Sequence, residues 1–190
     1  TMHSKLIDTI ADFIPLDSSD IDLVQSLFKC QKVSKGVSLI ETGQHSDRAF
    51  FINEGYLKYS KIIESGEELI IHLYTPLHFA TSLNSFFLGQ KSEEDLHTIT
   101  DCDLLCITHS DLEYLYSTSP KWQSFGRKLM ESFLIEKEER IIDQLSLTAQ
   151  MRYSKLLKCY PEIIQNVPVK YIASYIGIQP ESLSRIRKKN

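Results

Sequence analysis

The chain has 190 residues, enough for one or two compact domains, and its 42% apolar share suffices for a proper core. No apolar run approaches the ~18 residues of a membrane span, and the N-terminus lacks the charged start and apolar stretch of a signal peptide, so a cytoplasmic protein is expected. The formal charge of −4 averages two unlike parts: residues 1–150 carry 13 Lys/Arg against 23 Asp/Glu (net −10), and residues 151–190 carry 8 against 2 (net +6). This segregation points to an acidic module joined to a basic one that meets a polyanion, with a merely solvated basic face as the alternative.

Residues 4–30 carry apolar side chains at helical spacing: Leu6, Ile7, Ile10, Phe13, Ile14, then Ile21, Leu23, Val24, Leu27 and Phe28. Pro15 divides the run, and "DSSD" (17–20) supplies N-cap residues for a second helix. From 32 to 108 the pattern becomes that of strands. Short runs such as "VSLIE", "AFFIN", "YLKYSKII", "LIIHLYT" and "LHTIT…LLCIT" are separated by Gly36, Gly43, Gly55 and Gly66. Such spacing predicts an antiparallel barrel or roll, with "ESGEE" (64–68) as a hairpin turn.

From 111 to 147 the helical period returns. "STSP" (117–120) breaks it, with Ser119 as cap and Pro120 in the first turn of the next helix. A helix over 121–147 would span roughly 40 Å at about 1.5 Å per residue, too long to rest on a small roll alone. Part of it is therefore expected to pack on a second copy, through Trp122, Phe125, Leu129 and Phe133. The run "EKEER" (136–140) argues against a regular coiled coil.

The C-terminal stretch "VPVKYIASYIGIQPESLSRIRKKN" reads as two helices. Ile172, Ala173 and Ile176 share one face of the first, and Ala173 is small enough for a close crossing. Gly177 suits a helix end that needs φ > 0, Ile178 plugs the core, and Pro180 fits a first turn. In the second helix Leu183 and Ile186 face inward, leaving Gln179, Glu181, Ser182 and Arg185 outward. That order is helix-turn-helix grammar. Arg185 could fork onto guanine, Glu181 could accept from cytosine, and Gln179 or Ser182 could read or position. Lys170, Arg187, Lys188 and Lys189 are cast as phosphate contacts. A plain amphipathic hairpin is the competing reading.

Roll, long helix and tail in this order resemble the Crp/Fnr family of bacterial transcription regulators. In the roll the resemblance rests on "KGVSLIETGQ" and "FFINEGYLKYS", with Gly36, Gly43 and Gly55 at turn positions. In the tail it rests on "IASYIGIQPESLSRI", where Glu181 and Arg185 match base-reading residues and Pro180 replaces an arginine. It implies an α+β chain: an antiparallel, jelly-roll-like β-roll with N-terminal helices (1–118), a long dimerisation helix (119–147) and a small helix-turn-helix domain (148–190). It also implies a homodimer on palindromic double-stranded DNA, with roll loops that could touch RNA polymerase; the β-hairpin wing that many members add is not expected after "RIRKKN", a departure that lowers the expected contact area with DNA. Family members that take a cyclic nucleotide hold ribose and phosphate with Gly-Glu and Arg-Ser/Thr pairs. Here those positions read Thr81-Ser82 and Ser92-Glu93, with Glu94 and Asp95 following, so neither cAMP nor cGMP is expected to bind. A pocket for another effector could be lined by His72, Phe79, Thr81, Ser82, Phe86, Ser92 and His97; a filled roll is the alternative.

Little else carries chemistry. Cys30, Cys102, Cys106 and Cys159 lack metal-ligand spacing and are expected to be buried, reduced thiols. The histidines lack metal-site spacing, and no catalytic motif or cofactor signature is present, so neither an enzyme nor a cofactor is expected. The rival functional classes are a small-molecule-binding roll whose tail is a structural hairpin, and an interaction protein with neither effector nor DNA.

Overall fold

The computed structural model describes residues 2–189, with the side chain of Lys189 outside the described set. Helices α1 (Ser4–Ala11) and α2 (Ser18–Leu27) come first. Asp17 caps α2 in a reciprocal capping box with Asp20, as "DSSD" predicts. Strands β1 (Lys29–Val33), β2 (Ser38–Ile40), β3 (Arg48–Glu54), β4 (Leu57–Ile62), β5 (Glu68–Tyr74) and β6 (Phe79–Ala80) follow. Then come the short α3 (Leu83–Leu88), β7 (Asp95–Thr98) and β8 (Cys102–Thr108). Helices α4 (His109–Thr118), α5 (Pro120–Ser146), α6 (Ala149–Cys159), α7 (Ile163–Asn166), α8 (Val169–Ile176) and α9 (Pro180–Lys189) complete the chain.

The strands form two four-stranded antiparallel sheets, ordered β1-β8-β3-β6 and β2-β7-β4-β5. Alternation along each strand divides the side chains between two faces. Phe50 and Ile52 of β3 point between the sheets with Leu57, Tyr74, Leu96 and Leu104 and fill the roll. Phe51, Leu105 and Ile107 point outward and are covered by α1, α2, α4 and the first half of α5. The α+β roll with a long following helix and C-terminal helices is thus the architecture of this chain.

Several local expectations differ from what the fold does. The helical reading of residues 4–30 ends two residues too late, since Lys29 and Cys30 already belong to β1, the edge strand against β8. Cys102 and Cys106 are buried in the roll interior. Cys30 and Cys159 are exposed instead, because one sits on an edge strand and the other on the last turn of α6.

The larger correction concerns α5. A seam between two copies needs Trp122 and Phe125 at the surface, as periodicity predicts, yet they are 0% and 2% exposed within this single chain. Their rings meet at 6.0 Å and pack with Leu6, Ile10 and Leu115, with Leu129 and Phe133 lying partly buried on the same cluster. The N-terminal helices supply the cover that periodicity alone cannot reveal. The open apolar positions of α5 lie further along, at Leu134, Ile135, Ile141, Ile142 and Leu145.

The C-terminal helices do not hang free of the roll. Tyr153, Leu156, Ile172, Ala173, Ile176 and Leu183 share one buried cluster with Tyr56, Ile70, Leu73 and Ile99 on the outer face of the second sheet. The Ser174 hydroxyl accepts from the Ile70 amide at 2.9 Å, and Asn166 Nδ2 donates to the Tyr56 hydroxyl at 3.2 Å. From α5, Arg140 donates to the Tyr175 carbonyl at 3.0 Å while its guanidinium stacks 3.6 Å from the Tyr175 ring centre.

Candidate functional site

Helix α8 ends at Gly177, whose φ of +77° lets the Ile178 amide reach back to the Ala173 carbonyl at 3.0 Å. The turn is short because Pro180 opens α9 at once. Ala173 is fully buried where the two helices cross, and Leu183 is fully buried beneath α9. Glu181, Ser182, Arg185 and Lys188 follow at i, i+1, i+4 and i+7, a spacing that puts them on one face, and all are exposed. Arg187 is exposed as well, and the side chain of Lys189, also read as a phosphate contact, lies outside the described residues.

Gln179 and Lys170 are placed differently. Both line a groove with Glu67 and Glu68 of the β4–β5 hairpin, and the Lys170 ammonium lies 4.9 Å from the Tyr171 ring centre. In this arrangement the N-terminal edge of α9 faces an acidic turn of the roll.

Thr81-Ser82 and Ser92-Glu93 are the residues expected from the sequence at the nucleotide-holding positions. Ser82 and Ser92 are buried, and their hydroxyls share a hydrogen bond of 2.9 Å. Ser92 also reaches the Glu94 carbonyl at 2.7 Å, and Tyr59 donates to the Glu94 carboxylate at 2.9 Å. Burial pushes the Tyr59 phenol above its usual range, so it stays a donor. Glu93 pairs with Lys61 at 2.7 Å, which holds its carboxyl below the usual range. These side chains therefore satisfy one another, with the carboxylates of Glu93 and Glu94 beside the buried serines.

Of the residues read as an effector pocket, His72, Phe79, Thr81 and Phe86 do line one cleft, of about 290 Å³, between α5 and the roll. Ser82 and Ser92 are closed on each other rather than on the cleft. His97 pairs in register with Lys58 and lies close enough to Glu68 to act on its charge, a setting apart from the cleft lining. The sequence reading missed Lys137 and Glu136 at the cleft's polar end. They sit inside "EKEER", which read only as a solvated charge run, and their partner His72 lies 65 residues away.

Comparison with known proteins gives three findings. Residues 30–119 match the family model described as the cyclic nucleotide-binding domain. No curated protein matches the chain. Among solved structures, FixK2 from Bradyrhizobium japonicum superposes with a TM-score of 0.74 at 14% identity, covering 86% of this chain and 84% of that one. A regulator assigned to the Crp/Fnr family from Eubacterium rectale gives 0.68 at 16% identity over 94% and 87%. The c-di-GMP-responsive global regulator CLP of Xanthomonas campestris gives 0.66 at 17% identity over 91% of both chains. Residues 30–119 thus match a cyclic-nucleotide-binding-domain model, and the chain shares its overall fold with regulators of the Crp/Fnr type.

Proposed function

We propose that this protein is a homodimeric, sequence-specific DNA-binding transcription regulator of Crp/Fnr type that does not respond to cAMP or cGMP. The observation that carries this reading is the outward stripe of Glu181, Ser182 and Arg185 on α9. It stands at the end of a segment of net charge +6, beyond a glycine-closed turn on a buried alanine. Arg185 and Glu181 carry the groups that read base edges, while Arg187 and Lys188 are placed for phosphates.

Two copies would pair along the exposed Leu134, Ile141 and Leu145 of α5, setting two α9 helices into successive major grooves about 34 Å apart. The self-bonded Ser82–Ser92 pair and the adjacent Glu93 and Glu94 support the lack of cyclic-nucleotide response. No arginine stands at the phosphate position.

The experiment is selection of the full chain on a randomised duplex pool at fixed, near-physiological salt. A two-fold symmetric site is expected. Alanine at Arg185 or Glu181 should abolish its preference over scrambled DNA while leaving salt-sensitive binding. Equal loss on every sequence would refute the base-reading roles. An unenriched pool would favour the second reading, a ligand-binding roll with a structural tail, which the cleft beside α5 supports.

A further inference from the structure

The cleft between α5 and the roll is apolar along most of its length and polar at one end. Phe79, Phe86 and Ile107 line it from the roll, and Phe125, Leu129 and Phe133 from α5. At its end stand His72, Glu136 and Lys137. His72 is 4% exposed; its Nδ1 accepts from Lys137 Nζ at 3.3 Å, and its Nε2 lies 3.4 Å from a Glu136 carboxylate oxygen. This order fixes the tautomer: Nε2 carries the hydrogen and gives it to Glu136.

Glu136 is thereby engaged and partly open to solvent. Lys137 is not matched in the same way. It is half-buried, and its ammonium has only the imidazole nitrogen as a partner and no ion pair among the described residues. Burial lowers its pKa, and the charge of Arg140 adds to this, against the opposing pull of the Glu136 carboxylate. A charge at the wall of an apolar cleft is costly unless something meets it. Arg140, one turn on, is already stacked on Tyr175. The polar end of the cleft thus holds one ammonium with no ion pair among the described residues beside a carboxylate that His72 already engages, which leaves room for one further anionic group and not the multiple charges of a phosphate.

Its size narrows the choice further. The cleft of about 290 Å³ is about twice the ~150 Å³ apolar cavity that accepts benzene, room for a body of about ten carbons. We propose that the cleft binds an apolar monocarboxylate of about ten carbons, its carboxylate on Lys137 and its body among the phenylalanines and leucines between α5 and the roll. Such a ligand would sit on the same helix that holds α8 through Arg140 and the Tyr175 carbonyl. Any effect on DNA rests on the regulator reading; the binding does not.

The test is calorimetric titration of the full chain with sodium decanoate, with decanol and decylamine as matched controls, and emission of the sole tryptophan, Trp122, as a second readout. Decanoate should bind at least about tenfold more tightly than decanol, as a charge-assisted contact predicts. Lys137→Met should bring decanoate to the level of decanol without changing decanol, and Lys137→Arg should restore the preference. Met130→Trp, which fills the cleft, should weaken both. Absence of binding by decanoate, or a preference that Lys137→Met leaves intact, overturns the proposal. DNA selection on the same preparation separates the two readings. A recovered site without decanoate binding refutes the cleft alone, and decanoate binding with an unenriched pool refutes the regulator alone.

Discussion

The hydroxyls of Ser82 and Ser92 meet at 2.9 Å, at the two positions proposed above to have lost a nucleotide's ribose and phosphate contacts. Both are buried, so removing either hydroxyl takes a hydrogen bond from the other in a place that water does not reach. Ser92 has more to lose, because it also bonds the Glu94 carbonyl. Ser92→Ala should cost about 2 kcal/mol of folding stability and Ser82→Ala about 1 kcal/mol. The double variant should cost about 1 kcal/mol less than their sum, measured by urea unfolding. Strict additivity would mean the two hydroxyls do not interact. At the same site, cAMP at 100 times a given Kd would add about 2.7 kcal/mol, a shift visible in any melt. Millimolar cAMP or cGMP should leave the midpoint unmoved.

The seam prediction follows from the correction to α5. Leu134 and Leu145 are 71% and 84% exposed, and with Ile141 they recur at i, i+7 and i+11, the spacing of a helix-pair seam. Burying each would contribute about 1.5–3 kcal/mol, so one charge there should suffice to separate the copies. Leu145→Glu and Ile141→Lys should convert a dimer to a monomer in light scattering while leaving the melting profile of each chain intact. Trp122→Ala should do the opposite, costing about 3–5 kcal/mol of folding without a change in association of the folded chain. A Leu145→Glu protein that remains dimeric would place the seam elsewhere.

Gly55 gives a sharp test of the roll. Its φ is +100°, and a Cβ there would lie 2.5 Å from Cys102 Sγ and 2.6 Å from the Asp101 carbonyl. Gly43 has a similar φ of +83° but open space around it. Gly43→Ala should therefore cost only the left-handed backbone penalty, about 1–2 kcal/mol. Gly55→Ala adds a clash with backbone that cannot swing aside and should cost about 3 kcal/mol or more. Equal costs in urea unfolding would show that the strand approach at Asp101 is soft.

What the sequence made legible is what local backbone chemistry decides. Ser119 and Pro120 open α5 because a cap and a proline act within one turn, and Gly177 with Pro180 breaks the tail for the same reason. The hairpin between β4 and β5 was readable from "ESGEE". What stayed hidden depends on distant partners. The strand "KCQKV" has no alternation of its own and is made a strand by Cys102–Cys106, which pairs with it from 69 to 77 residues away. Periodicity showed that Trp122 and Phe125 share an apolar face, but not that α1 and α2 cover it. Lys137 looked like one charge among several until His72 was beside it.

His72 itself yields a pH prediction. Burial holds its pKa well below the usual histidine value of 6.5, and the charges of Lys137, Arg140 and His78 push in the same direction. The nearby Glu136 does not reverse this, and the imidazole meets it as a neutral donor. Above pH 6.5 neither folded nor unfolded chain carries this proton, so the group contributes no pH dependence there. As pH falls below 6.5 the unfolded chain gains a proton that the folded chain refuses, and stability drops until the folded pKa is reached. Between pH 7.5 and 5.5 the loss from this one group is about 1.4 kcal/mol. The unfolding free energy of the wild type should fall by that much more than the free energy of His72→Gln across the same interval. Parallel profiles would mean that His72 takes up its proton equally in the folded and unfolded chain, and a wild type that gains stability on the variant as pH falls would mean that Glu136 holds the imidazole protonated.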